Sequence, residues 1–204
     1  MVSINNFEFV YKLSLPELDK IVSDKFLSNL KLDYDKPSRY KQEKITDQVK
    51  NEYKNICGIQ FTEMITFFKN NLSGRIHTDT IDKTEEVWGI NWIFGGAAVM
   101  EYWTRESIGC EPLNLIDSQG SPIHKWNRFH ATKPLKIYYM PEGAYLVNAS
   151  AIHRPSAVGQ RHCIVIRPKR EMSWSQAIDT FSPLINGVPD IIQSFKHNKF
   201  MDPT

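Results

Sequence analysis

PEGAYLVNASAIHRPSAVGQRHCIVIRP, residues 141–168, holds two short apolar runs, Ala144–Asn148 and Arg161–Arg167, bounded by turn-forming residues. Pro141-Glu142-Gly143 makes a turn before the first run. Arg154–Gln160 contains Pro155 and Gly159 and reads as a loop that reverses the chain before the second. Alternation along the second run sets Arg161, Cys163, Val165 and Arg167 on one face and His162, Ile164 and Ile166 on the other. A pair of short strands around a reversal is the unit from which sandwiches and barrels are built.

The same pattern extends upstream. Gly74–Thr78, Val87–Phe94, Ala97–Thr104 and Leu135–Met140 are further short apolar runs, and Gly95-Gly96 reads as a tight hairpin between the second and third of these. Together they predict a β-rich core of about eight strands. Ahead of it the chain reads as helical. Ser14 and Glu17 form a capping box, followed by Leu15, Leu18, Ile21, Val22 and Phe26 at helical spacing. A second helix is expected over about Ile45 to Tyr53. Ile59 to Asn70 suits either a buried helix or a strand. Helices are expected over about Ser173 to Phe181 and Asp190 to His197. The layout is one domain: 1–72 as helical N-terminal support, 73–168 as the β core and 169–204 as C-terminal helices.

Bulk properties narrow the function classes. The chain has 204 residues, enough for one domain with a substantial core, and a net charge of +2 from mixed signs. A dedicated nucleic-acid binder would concentrate its basic residues, so nucleic acid is not favoured as a partner. No stretch approaches the roughly 18 apolar residues of a membrane span. The first twenty residues do not read as a secretory signal. Cys57, Cys110 and Cys163 form no Cys-x-x-Cys pair, which suits free thiols in a reducing, cytoplasmic setting. Asn148-Ala149-Ser150 matches a glycosylation sequon and is read as accidental in that setting.

Chemistry concentrates in three places. His77-Thr78-Asp79 puts a histidine and a carboxylate two residues apart at a strand end, hence on one face. His153 lies beyond the Ala144–Asn148 strand, across a short connection. Two histidines and one carboxylate are the ligand set that holds Fe(II) on one side and leaves the other open. Arg161, eight residues beyond His153, offers a planar fork suited to gripping a carboxylate. Arg167, on the same strand face, is the reserve for that role. Asn91 shares a strand face with Val87, Gly89 and Ile93, where small and polar residues suggest a cavity lining.

On these residues the chain resembles the Fe(II)/2-oxoglutarate-dependent dioxygenases and, in general shape, the small oxygenases of phage and bacterial genomes. The resemblance covers about Ser73 to Pro168. It rests on GRIHTD (74–79), WGINWIFGGAAVMEYW (88–103) and the 141–168 segment. It implies a double-stranded β-helix core of the jelly-roll or cupin-like kind. It implies iron held by His77, Asp79 and His153, and 2-oxoglutarate held through its distal carboxylate by Arg161, with Asn91 and Arg167 as further candidates. O2 would be the other cosubstrate, and a small molecule or an amino-acid residue would be hydroxylated with release of succinate and CO2. The spacing from His153 to Arg161 is shorter than in many members. Related halogenases lack the carboxylate ligand, so Asp79 favours hydroxylation.

Two other classes share the fold. A cupin-type metal protein, an isomerase or a 2-oxoglutarate-independent dioxygenase, would normally carry His-x-His and a glutamate shortly after it; here Glu85 and Glu86 fall at the wrong phase. A non-catalytic binding module need not keep three ligands and an anchor. Tyr102 and Trp103 are expected in the core, or framing a substrate pocket. His124 and His130 fall in a long connection that is able to cover the site. His162 should point away from the metal and Cys163 should be buried. The substrate and the oligomeric state are left open.

Overall fold

Trp88–Phe94, Ala97–Trp103 and Arg161–Arg167 carry apolar side chains on both faces, which strands do when both faces are covered. The computed structural model, which describes residues 8–16, 40–43, 51, 54–55, 58–70, 73–79, 86–108, 113–116, 122–126, 133–168 and 172–196, shows what covers them. The chain order is β1 (Val10–Leu13), β2 (Tyr40–Glu43), β3 (Phe61–Asn70), β4 (Ile76–Thr78), β5 (Trp88–Phe94), β6 (Ala97–Trp103) and α1 (Arg105–Ile108). It continues with β7 (Leu113–Ile116), β8 (Pro122–Trp126), β9 (Lys136–Met140), β10 (Gly143–Asn148), β11 (Ile152–Val158), β12 (Gln160–Pro168), α2 (Trp174–Phe181) and β13 (Asp190–Ile191). The strands form two antiparallel sheets. The first runs β1-β10-β5-β12-β3-β2 and the second β13-β9-β6-β11-β4-β8-β7.

The inner faces of the two sheets meet in one core. Ile93, Tyr145, Val147, Cys163 and Val165 of the first sheet pack with Ala98, Met100, Tyr102, Tyr138 and Met140 of the second. The outer face of the first sheet, with Trp88, Ile90, Trp92, Ile164 and Ile166, is covered by Trp174, Ala177, Ile178 and Phe181 of α2. The alternation expected along β12 therefore holds, with each face serving a different core. A third cluster, Ile76, Trp103 and Ile108, lies on the outer face of the second sheet.

Helix α2 matches the expected helix from its first residue. Gln176 N donates to Ser173 Oγ at 3.2 Å, and Ser173 N donates to Gln176 Oε1 at 2.9 Å, a reciprocal capping box. Glu86 also accepts from the Trp174 N–H. Ser173→Ala is expected to cost about 1 kcal/mol, read as a lower midpoint in chemical denaturation. An unchanged midpoint would assign the cap to Glu86 instead.

Several expectations need correction. Gly95-Gly96 joins β5 to β6 but does not make a hairpin: β5 pairs with β10 and β12, whereas β6 pairs with β9 and β11. The turn, with Gly95 at φ 69°, carries the chain from one sheet to the other. Gly159, at φ 73°, does the same between β11 and β12. Arg154–Gln160 is not a loop. It supplies most of β11, a central strand despite Pro155. Gly74 makes this possible: its N–H donates to the Pro155 carbonyl at 2.7 Å, and a Cβ at Gly74 would stand 3.1 Å from the proline ring.

The described part of the N-terminal third contributes strands rather than helical support alone. β1 joins the first sheet beside β10, and β3 pairs along its length with β12, which decides Ile59 to Asn70 in favour of a strand. The helix expected after Ser14 lies outside the described residues from residue 17 on, as does nearly all of the one expected over Ile45 to Tyr53. The second C-terminal helix is replaced, over the residues described, by β13 on the β9 edge. Gly187, at φ 91°, and Pro189 break any helical approach, and the open β9 edge offers hydrogen bonds instead. Just before it, Lys12 N donates to Gly187 O and Ser14 N to Leu184 O, so the segment also borders β1. No helix of the described residues is long and apolar enough to cross a membrane.

Candidate metal centre

β4 and β11 are neighbours in the second sheet, and their register sets His77 directly opposite His153. Their rings lie 4.4 Å apart between centroids. Asp79 follows β4 by one residue, and its N–H donates to the Ala149 carbonyl at 3.0 Å, which fixes the backbone just past the strand end. One ligand atom from each of His77, Asp79 and His153 lies within 4.8 Å of the others, so the group could hold a metal ion.

Both rings are oriented by the same device. His77 Nδ1 lies 2.8 Å from the Arg75 carbonyl and His153 Nδ1 2.9 Å from the Ala151 carbonyl, each two residues earlier in the chain. A carbonyl only accepts, so each Nδ1 carries the hydrogen. Each Nε2 is then the coordinating atom, the outer-shell arrangement usual for metal-ligating histidines. His77 Nε2 lies 3.2 Å from Asp79 Oδ1. Arg167 Nη2 donates to the other carboxylate oxygen, Oδ2.

The electrostatics keep this donor set ready for a cation. Burial alone would push Asp79 up. The Arg167 guanidinium, His77 and His153 together outweigh it and hold the carboxyl well below the usual carboxylate range. His153 is pulled the other way: burial, then the neighbouring His77, lowers it from 6.5 to about 4 against the opposing pull of Asp79. The ring is therefore neutral at neutral pH.

That shift has a stability consequence in metal-free protein. Between pH 6.5 and about 4 the unfolded chain takes up a proton that folded His153 refuses, so stability falls as pH drops through this window. The span corresponds to roughly 3 kcal/mol. Thermal melts of metal-free protein from pH 7 to 4 should fall more steeply for the wild type than for His153→Gln. Parallel slopes would rule out this account.

Arg161 and Arg167 share the inner face of β12 but serve different points. Six residues separate them, about 20 Å of strand. Arg167 engages Asp79. Arg161 is 4% exposed; its Nη1 donates to the Ser156 carbonyl at 3.4 Å and its Nε has no hydrogen-bond partner. A buried guanidinium in this condition suits an anion brought from outside. β11 and β12 lie in opposite sheets, so His153 and Arg161 belong to facing sheets rather than to adjacent strands. Asn91 is half-buried on the inward side of β5, in register with Tyr145 and Val165.

The turn after β10 does more than the sequence suggests. Asn148 Oδ1 accepts from Ser150 N at 3.0 Å and Ala151 N at 3.2 Å. Ser150 Oγ donates to the Val87 carbonyl at 3.1 Å. These bonds aim the Ala149 and Ala151 carbonyls at Asp79 and His153. The residues of the apparent sequon are thus the brace of the site, a role signalled only by the turn preference of Asn and Ser. Tyr102 is fully buried with its hydroxyl donating to Asn148 O at 2.9 Å, its ring centroid 5.9 Å from that of His153. Trp103 faces the other way, under the Arg154 guanidinium.

Among the remaining candidates, His124 lies in β8 in register with Thr78, and His130 lies outside the described residues. His162 is on the outward face of β12, lowered by burial and then by Arg161. Cys163 is buried in the inner core, while Cys57 and Cys110 lie outside the described residues. No protein-family model matches the chain, and no curated protein matches it.

Proposed function

We propose that the chain is an Fe(II)- and 2-oxoglutarate-dependent dioxygenase with a double-stranded β-helix core, acting on a small molecule or an amino-acid residue. The observation that carries this reading is the meeting of His77, Asp79 and His153, both rings locked to present Nε2. The buried, under-partnered Arg161 on the facing sheet supports the cosubstrate. The topology supports the fold assignment: β3 to β6 and β9 to β12 supply four adjacent strands to each sheet, in the orders β10-β5-β12-β3 and β9-β6-β11-β4.

The donor set fits ferrous iron, since two imidazoles and one carboxylate on one side leave room for exogenous ligands. When bound, iron would supply the coupled conversion of 2-oxoglutarate, O2 and a substrate C–H into succinate, CO2 and an alcohol. The chain's own part is positional. The Arg75 and Ala151 carbonyls fix the imidazoles. Arg167 keeps Asp79 charged and occupies Oδ2, which leaves Oδ1 for the metal. Arg161 would grip the distal carboxylate of 2-oxoglutarate, and Asn91 lies where it is able to line the same interior.

The test is direct. Anaerobically purified protein is given Fe(II), 2-oxoglutarate and air, and succinate is measured. Formation above the His77→Ala background is the expected result, lost in Arg161→Ala at low 2-oxoglutarate and partly restored at high. Succinate no higher than that background, with a range of candidate substrates supplied, would exclude this function.

A further inference from the structure

Behind the metal ligands, buried rings run in contact toward the surface. The Tyr102 centroid is 5.9 Å from that of His153 and 5.7 Å from that of Tyr138. Phe9 stacks on Tyr102 at 4.5 Å. Both tyrosines are fully buried, yet their hydroxyls differ in one respect. Tyr102 donates to the backbone carbonyl of Asn148, which cannot take a proton. Tyr138 donates at 2.5 Å to Glu8 Oε2, a carboxylate that can. The other oxygen of Glu8 is 2.7 Å from Lys136 Nζ, and the two side chains are 12% and 24% exposed, so a proton arriving there meets water.

From this geometry we infer a second activity, resting on the oxygenase reading above: Tyr102 and Tyr138 form a relay that discharges the metal site when it has consumed dioxygen without a substrate to oxidise. The oxidant is a high-potential one-electron acceptor generated from dioxygen at the metal. One electron leaves Tyr138, crosses the Tyr102 ring and reduces that acceptor, which takes a proton from water. The Tyr138 O–H bond breaks and its proton passes to Glu8 Oε2, leaving a neutral phenoxyl radical on Tyr138. A one-electron reductant in solution, with one proton, restores the phenol. The electron hole settles on Tyr138 rather than Tyr102 because only Tyr138 has a base at hydrogen-bond distance. The relay would spare the ligands themselves and Cys163, an oxidisable thiol of the same inner core.

The test uses the iron-loaded full chain with 2-oxoglutarate and air but no further substrate, sampled by rapid freezing for electron paramagnetic resonance while succinate is measured in parallel. A tyrosyl radical is expected in the wild type. It should be lost in Tyr138→Phe and Tyr102→Phe and diminished in Glu8→Gln, which keeps both rings. It should be retained in Tyr145→Phe, another buried tyrosine of the same core whose hydroxyl donates to the Pro141 carbonyl. Peptide mass analysis should show more +16 products at Cys163 in Tyr138→Phe. Succinate formed without a radical, or a radical that survives Tyr138→Phe, overturns the relay alone. No succinate in this substrate-free reaction overturns the relay, and no succinate with candidate substrates supplied overturns the oxygenase reading as well.

Discussion

Asp79→Ala is expected to lower Fe(II) affinity by roughly two orders of magnitude or more, and to abolish succinate formation. Losing an outer-shell partner typically costs 10–100-fold, and Asp79 is the one carboxylate of the set. The effect should exceed that of Arg167→Ala, which leaves all three ligands but removes the cation that orients and charges Asp79; that variant should lose about 10–100-fold. Asp79→Asn keeps an acceptor for Arg167 and separates ligation from packing. Anaerobic titration, with Co(II) absorbance as the reporter, ranks the three variants. Wild-type affinity in Asp79→Ala would remove Asp79 from the metal site.

The largest expected loss of stability lies on the outer face of β6 and β11. Glu101 and Arg154 are 2% and 8% exposed and doubly bonded, Nε to Oε2 at 2.6 Å and Nη2 to Oε1 at 3.0 Å. They are register partners beside Tyr102 and His153, with the Arg154 guanidinium 5.0 Å from the Trp103 ring centroid. Glu101→Ala removes both of these bonds from a buried cation and is expected to cost about 3–5 kcal/mol, a large part of the 5–15 kcal/mol that domains usually have. Glu101→Leu combined with Arg154→Met should recover much of it, because a well-packed apolar pair often equals a buried ion pair. Urea denaturation measures both. A loss under 1 kcal/mol for Glu101→Ala would mean that water reaches the pair.

The run of short strands and the face assignments of β12 were legible because alternation and turn residues are local signals. His77 and Asp79 were legible as one face of a strand for the same reason. What was not legible depends on distant partners. Pro155 argues against a central strand on local grounds, and only the close approach of Gly74, 81 residues upstream, makes β11 possible. Gly95-Gly96 has the composition of a hairpin turn, yet the partners of β5 and β6 come from elsewhere in the chain, so the turn changes sheets. Asp190 and Ile191 become a strand because β9 has an open edge, which no window around residue 190 contains. At the site, the pairing of Arg167 with Asp79 depends on the two sheets facing each other, so the sequence offered the two arginines only as alternatives for one role.

The placement of β1 between β10 and the 184–187 segment bears on how the protein is made. Residues 10–13 leave the ribosome long before their partners on β10, which begin at Ala144. At 5–20 residues per second, the wait is on the order of ten seconds, with Val10, Tyr11 and Leu13 lacking their native cover. Pairings this far apart in sequence also fold slowly once the chain is complete. The weak point in biosynthesis is thus β1, whose cover arrives more than a hundred residues later.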